Sequence, residues 1–208
     1  MSLLSKFFNF ILLISNKYKI DESHGIRHSM EVLQFASDII NSELLFNPQL
    51  KEQEKVIYAS ALLHDMCDKK YMDEKEGIKE IQAFLNDKLS SEEIDVTSTI
   101  ISTMSYSKVK KNGFPKNLGD YELAYHIVRE ADLLSAYDFE RCIIYNIHKL
   151  NGDFDGAFID AKNLFENRVF KHNDDNLFIT DYSKQISLNL HANALSKINN
   201  WSKLQMRI

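Results

Sequence analysis

The sequence has 208 residues, enough for one ordinary domain with a sizeable core. Six glycines and two prolines supply few turn residues for many short strands, so sandwiches and barrels are disfavoured and a helical chain is expected. The formal net charge of -5 argues against nucleic-acid backbone as the main partner. Two cysteines cannot build a disulfide framework, which favours reduced thiols in a cytoplasmic protein.

An apolar run at residues 7–14 predicts a core helix over residues 3–17. The run is too short for a membrane crossing, which needs roughly 20 apolar residues, and Asn9 interrupts it. No small-residue cleavage pattern follows it before Lys17. We expect one face of this helix to be buried, formed by Leu3, Leu4, Phe7, Phe8, Ile11, Leu12 and Ile14.

Apolar residues at helical spacing continue along the chain, without strand alternation or an internal repeat. Asp73 and either Ser90 or Ser91 provide capping acceptors at two helix starts. Glycine and proline interrupt residues 105–120, which are expected to form a loop. The prediction is an all-α, single-domain helical bundle over residues 1–208, with helices at 3–17, 24–41, 48–67, 73–86, 91–104, 121–150, 154–170 and 181–203.

The first candidate functional residues are His64 and Asp65, which lie at the end of an otherwise apolar predicted helix. A buried carboxylate there requires a cation, an arginine or a metal as partner; a capped helix end with a solvated Asp65 is the alternative. His28 and Asp132 lie on two other apolar helices, where each alone is compatible with a hydrogen-bonded core residue. Together the four supply two imidazole nitrogens and two carboxylates, a set that suits Mn²⁺, Fe²⁺, Ni²⁺, Co²⁺, Mg²⁺ or Zn²⁺ and leaves open positions.

This order of His, His-Asp and distal Asp resembles the HD-domain metal-dependent phosphohydrolases. The flanking segments SHGIRH (23–28), ALLHDMCDKKY (61–71), IISTMSYSK (100–108) and EADLLSA (130–136) are similar to small single-domain bacterial HD proteins. Those proteins include nucleoside triphosphate pyrophosphohydrolases. Gly25 and Glu130 stand where they usually carry aspartates. The resemblance covers roughly residues 20–141 and implies an HD domain whose C-terminal helices, 154–203, pack on this core.

The resemblance implies that His28, His64, Asp65 and Asp132 are ligands of one divalent metal ion. Binuclear members of the superfamily need further histidines between the His-Asp pair and the last Asp. Only His126 lies in that interval, and its spacing from Asp132 directs it away from the site, as does that of Glu130. The later histidines are expected to serve the surface or packing; they are His148, His172 and His191.

Spacing sorts the neighbours of these ligands. Asp68 is predicted to share the helix face of His64 and Asp65, so Asp65 and Asp68 are the candidate catalytic residues, with a solvated Asp68 as the alternative. His24 precedes His28 by one turn and is predicted to contact a phosphate or to cap the helix. Arg129, one turn before Asp132, is predicted to clamp phosphate or to pair with the ligand carboxylate.

Lysines in two segments offer charge to a phosphorylated substrate. Lys70 and Lys108 fall at family-like positions and are candidate substrate-binding residues, whereas Lys110 and Lys111 are expected to be solvated. Tyr71 and Tyr106 are expected either to stack on a ring or to cover the protein surface.

The resemblance implies a phosphohydrolase for a small phosphorylated molecule, with a nucleoside triphosphate cleaved to monophosphate and pyrophosphate as the leading reaction. The alternatives are a nucleotide monophosphatase or phosphodiesterase and a non-catalytic metal-binding HD module. Extended nucleic acid and membrane are not expected as partners; a homodimer stays open.

Overall fold

The computed structural model describes residues 1–207, which contain α-helices and two short 3₁₀ turns and no strand. The predicted all-α fold is confirmed. The α-helices are α1 (Leu3–Tyr18), α2 (Ile26–Glu43), α3 (Leu50–Leu63), α4 (Glu74–Leu85), α5 (Ser91–Thr103), α6 (Tyr106–Asn112), α7 (Glu122–Ser135), α8 (Phe139–Lys149), α9 (Phe154–Asn167) and α10 (Asp181–Gln205).

The chain forms two compact units, Met1–Asp132 and Leu133–Ile208. The prediction that residues 1–208 form one domain, with 154–203 packed on the signature core, stays a prediction. Among the described residues, none of the helices combines the length and the apolar run that a membrane crossing requires.

Helix α3 is the centre of the first unit, packed against α1, α2 and α5. Its last five residues, 59–63, are all small or apolar and are all buried; Leu62 is 1% exposed. A helix that is apolar all round belongs in a core. Because α3 is buried up to its last residue, the next residue in the chain, His64, also lies in buried surroundings.

The N-terminal helix α1 buries a narrower face than predicted. Phe7, Ile11 and Ile14 are buried, at the 3- and 4-residue spacing of one helical stripe. The outer members of the predicted face are exposed by 39–47%, namely Leu3, Leu4 and Leu12.

Two helix starts follow their capping chemistry. The Asp73 carboxylate accepts hydrogen bonds from the backbone N–H groups of Lys75 and Glu76 at the start of α4. Ser90 and Glu93 form a reciprocal capping box at the start of α5. These bonds satisfy N–H groups that the helix itself leaves unpaired.

Three predicted boundaries are wrong. The predicted loop 105–120 contains α6, which ends at Asn112 and is followed by Gly113 at a φ of 73°. The glycine and proline residues lie after the helix. The predicted helix 121–150 is two helices, and Asp138 caps the second by accepting a hydrogen bond from the Arg141 backbone N–H. Helix α3 ends at Leu63 because tighter i to i+3 bonds follow, such as Met66 N–H to the Leu63 carbonyl at 2.9 Å.

The second unit is built on α8 and α9, which pack against each other, with α10 packed on α8. Phe139 lies at the centre of its core and makes edge contacts with Phe158 and Phe165 at ring-centre distances of 5.7 and 5.1 Å.

Candidate metal centre

Four side chains from three parts of the first unit meet at one point. His28 lies in the first turn of α2, His64 and Asp65 directly follow α3, and Asp132 lies on α7. The Nε2 atoms of His28 and His64 are 3.1 Å apart. Asp65 Oδ2 lies 3.2 Å from the first imidazole nitrogen and 3.4 Å from the second. Asp132 Oδ1 lies 3.4 and 3.6 Å from the same two atoms.

The turn that ends α3 explains how two neighbouring residues reach one point. In a continued helix the side chains of His64 and Asp65 would leave about 100° apart. The chain instead tightens after Leu63, and both residues are directed to the same nitrogen-oxygen cluster. His28 reaches it from α2, whose next residues on the same face, Val32 and Ala36, are fully buried.

The donor atoms fit around a single metal ion. Bonds of about 2.1 Å at angles of about 90–110° place neighbouring ligand atoms roughly 3.0–3.4 Å apart, close to the observed separations. Asp65 Oδ2 is buried and forms no hydrogen bond among the described residues, so a cation would satisfy it. His28, His64 and Asp65 have donor atoms within 4.8 Å of one another and can hold a metal ion.

The orientation of the His64 ring is fixed by a backbone hydrogen bond on the side that faces away from the other donors. Its Nδ1–H donates to the Ala61 carbonyl at 2.9 Å, which leaves Nε2 facing the three other donors. Metal-binding histidines commonly use such a backbone bond to set the ring tautomer. Ala61 lies in the buried end of α3, so the helix that buries His64 also orients its ring.

The centre brings two carboxylates and two imidazoles into close contact, and these contacts shift the pKa of His64, Asp65 and Asp132. Burial opposes protonation of His64, but the carboxylates of Asp65 and Asp132 outweigh it and raise the pKa of His64 to about 9. Burial likewise opposes ionisation of both carboxyl groups, yet the imidazoles of His64 and His28 hold the pKa of Asp65 and of Asp132 below the ordinary value. Without a cation, a proton on His64 therefore compensates part of the negative charge.

Helix α4 holds the segment that carries His64 and Asp65. Gly77 of α4 packs on Cys67 so closely that an added Cβ would lie 2.6 Å from Cys67 Cβ and 2.7 Å from Cys67 Cα. Met72 Sδ would be 2.9 Å away. Burial raises the pKa of the Cys67 thiol to about 12, so this neighbour of the centre is a neutral packing group.

His24 precedes α2 and belongs to a polar network beside the centre. Its ring centre is 6.3 Å from that of His28. Its Nδ1 lies 2.7 Å from Ser23 Oγ and 3.0 Å from Tyr71 Oη. The Asp21 carboxylate accepts hydrogen bonds from the Ser23 hydroxyl and, at 2.5 Å, from the Tyr71 hydroxyl. Asp21 was not identified from the sequence. Its position two residues before the motif 23–28 is the one signal that could have identified it.

Lys70 and Asp68 lie on the other side of His24. Lys70 Nζ donates to His24 Nε2 at 3.0 Å and lies 3.6 Å from Asp68 Oδ2. Asp68 Oδ1 accepts the Lys70 backbone N–H at 2.9 Å. The helical face that was predicted to carry Asp68 does not exist, because α3 has already ended. Asp68 instead faces Lys70, at the edge of the centre.

Lys108 is held within the protein by two bonds. Its ammonium group is paired with Glu74 and donates to the Ser102 carbonyl at 2.7 Å. The residue ties the start of α6 to α4 and to the end of α5.

Arg129 pairs with Glu130 instead of Asp132. Its side chain is buried, and Nη2 lies 3.3 Å from Glu130 Oε1 and from His126 Nδ1. The guanidinium lies over the Phe114 ring at 4.8 Å. Burial and the neighbouring Arg129 charge lower the pKa of His126 to about 4, so its neutral ring accepts the bond. The predicted contact between Arg129 and the ligand carboxylate is absent among residues 1–207.

The remaining histidines lie in the second unit. His148 is exposed, His172 is buried, and His191 stacks on Phe170 with ring centres 4.2 Å apart. They occupy surface and packing positions.

Comparison with known proteins shows a shared fold but gives no family or function. A scan against protein-family models and a search of curated proteins both find no match. Among solved structures, the chain resembles a crystal structure of a protein from Lactobacillus plantarum, determined as a structural genomics target, with a TM-score of 0.71. The two share 18% identity over 99% of this chain and 97% of that one. At this identity the likeness shows a common fold.

Proposed function

We propose that the protein is a divalent-metal-dependent phosphohydrolase acting on a small phosphorylated substrate. The observation that carries the proposal is the convergence of His28, His64, Asp65 and Asp132, with the donor separations given above. Two neutral nitrogens and two carboxylates hold one hard or borderline divalent ion and leave room for substrate oxygen and water. One metal is favoured because His126 is bound to Arg129.

When bound there, a divalent ion would act as a Lewis acid toward a phosphoryl oxygen and would lower the pKa of a water molecule. The residues of the chain hold the ion, accept the proton and bind the phosphate. Asp65 helps to hold the ion, and Asp68 is the proposed base that accepts a proton from the attacking water. Lys70, with 46% of its side chain exposed, and His24 bind phosphate oxygens from the adjacent edge. The network of Asp21, Ser23 and Tyr71 keeps His24 oriented.

A nucleotide is the proposed substrate, by the resemblance of segments 23–28 and 61–71 to HD pyrophosphohydrolases. The favoured reaction releases pyrophosphate from a nucleoside triphosphate. Monoester and diester hydrolysis use the same centre, so product analysis decides among them.

The test is hydrolysis of nucleoside tri-, di- and monophosphates, cyclic nucleotides and simple phosphoesters, each with Mn²⁺, Ni²⁺, Co²⁺ or Mg²⁺ supplied separately. Turnover by the native chain that is lost in His64→Ala and Asp65→Ala, with His148→Ala as the matched histidine control, supports the proposal. Turnover that survives in both variants refutes it. Metal binding without turnover of any compound favours the non-catalytic metal-binding domain instead.

A further inference from the structure

A groove of about 850 Å³ lies in the first unit, lined by α4, α6, the end of α5 and the loop after α3. Its volume is within the range of sites that hold small molecules of nucleotide size. None of the predicted metal ligands lines it. It is therefore a second concave feature, beside the proposed centre.

The groove is strongly basic. Its lining contains five lysines and a single acidic residue, Glu74, which is a formal charge of +4 in a chain whose net charge is -5. The lysines come from three separate segments and are Lys69, Lys75, Lys79, Lys108 and Lys111. Positive charge gathered in one cavity of an acidic protein raises the local concentration of anions.

Most of this charge is not neutralised by the protein. Lys108 is paired with Glu74. In the described chain, the other four lysines form neither an ion pair nor a side-chain hydrogen bond. Several lysines outside the groove are paired with acidic side chains, among them Lys17 with Glu80 and Lys197 with Glu140. Uncompensated ammonium groups facing one cavity repel one another unless an anion lies between them.

The groove begins at the segment that carries two of the metal donors. Lys69 follows Asp65 by four residues, so their Cα atoms are at most about 14 Å apart. The same segment is packed on α4 where Cys67 meets Gly77, and α4 supplies Lys75 and Lys79 to the groove. A ligand in the groove thus lies along an element that also positions the donors.

We propose that the lysine groove binds the phosphate chain of a linear polyphosphate, either a nucleoside triphosphate or inorganic polyphosphate. Consecutive phosphates carry a charge at each unit, so one chain can engage several lysines of the same groove, whereas a monophosphate engages only one or two of them. Ser107, Asn112 and Gln82 add uncharged donors to the same lining. This inference rests on the proposed function for what happens at the metal, but binding in the groove requires no metal.

The experiment titrates metal-free protein with inorganic tripolyphosphate and, separately, with a nucleoside triphosphate, inorganic phosphate and a single-stranded oligonucleotide. The test variant is Lys75→Gln/Lys79→Gln/Lys111→Gln, three exposed lysines of the lining. The control is Lys6→Gln/Lys51→Gln/Lys55→Gln, which removes the same charge at exposed positions of the same unit outside the lining. We expect the test variant to weaken tripolyphosphate binding by roughly tenfold or more and the control by less than about twofold.

Equal weakening in both triple variants overturns the proposal, because net charge alone then explains binding. Tripolyphosphate that binds no more tightly than phosphate, or a single-stranded oligonucleotide that binds more tightly than either polyphosphate, overturns it too. Tighter binding of the nucleoside triphosphate than of tripolyphosphate identifies the nucleotide as the source of the chain. If polyphosphate binds in this pattern but no compound is hydrolysed, the proposed function is refuted and the proposed binding groove is supported. If substrate is hydrolysed but polyphosphate does not bind in this pattern, only the binding groove is refuted.

Discussion

Replacing Gly77 by alanine tests whether α4 fixes the segment that carries His64 and Asp65. The added methyl group would lie 2.6 and 2.7 Å from Cβ and Cα of Cys67, where carbon atoms normally approach to about 3.5–4.0 Å. A displacement of about 1 Å is required, and because one clashing atom is backbone, a change of rotamer cannot relieve it. Overpacking of this kind costs about 3 kcal/mol at the upper end.

Alanine recovers about 1 kcal/mol through its higher helix propensity. The expected net loss is about 2 kcal/mol in the free energy of unfolding, measured by urea denaturation of the metal-free chain. The displaced segment includes Asp65, and metal-ligand distances tolerate only about 0.2 Å, so Mn²⁺ affinity should fall by roughly tenfold or more.

Gly156→Ala is the matched control. Its added Cβ would meet the Asp153 carboxylate, a side chain that can rotate away, so we expect a change within about 1 kcal/mol and unaltered Mn²⁺ affinity. If Gly77→Ala is as stable as the native chain and binds Mn²⁺ equally well, α4 does not fix the donor segment.

Three further predictions concern the buried charges of the first unit. Since metal must displace the proton from His64, whose pKa is about 9, Mn²⁺ affinity should rise roughly tenfold per pH unit from pH 6 to 8, and a flat calorimetric profile contradicts this. In the metal-free chain, the stabilisation from protonated His64 is complete below about pH 6.5 and is lost as pH rises to about 9; urea titrations of native and His64→Gln protein should converge at the alkaline end. Arg129→Met removes the buried cation 3.3 Å from the buried Glu130 carboxylate and should cost about 3–5 kcal/mol, of which Arg129→Met/Glu130→Gln should recover part. Equal losses in the two variants by thermal denaturation would exclude coupling.

The parts of the fold that follow from local chemistry were predictable. Asp73 and Ser90 mark helix starts because their side chains satisfy N–H groups in the next turn, and both starts are where the sequence places them. The break between α7 and α8 was not predictable in this way. Ala136 and Tyr137 carry no breaker signal, and Asp138 resembles an ordinary helix residue until its bond to the Arg141 N–H is seen.

The same distinction applies to the candidate centre. The residue types and their order predicted that His28, His64, Asp65 and Asp132 act together. Each was predicted to lie on an apolar helix, where a polar side chain is unusual unless it has a partner. The orientation of His24 depends on Asp21 and Tyr71, which are 50 residues apart in sequence. Arg129 was expected to face Asp132 by helical spacing, but the adjacent Glu130 holds it, because two buried charges are best satisfied by each other.

Calorimetric titration with Mn²⁺ of the native chain, His64→Ala and His148→Ala tests the metal centre most directly. The account predicts one ion per chain for the native protein and for His148→Ala, whose side chain is exposed, and no binding in the same concentration range for His64→Ala. Native-like binding by His64→Ala, or two ions of similar affinity per native chain, would contradict it.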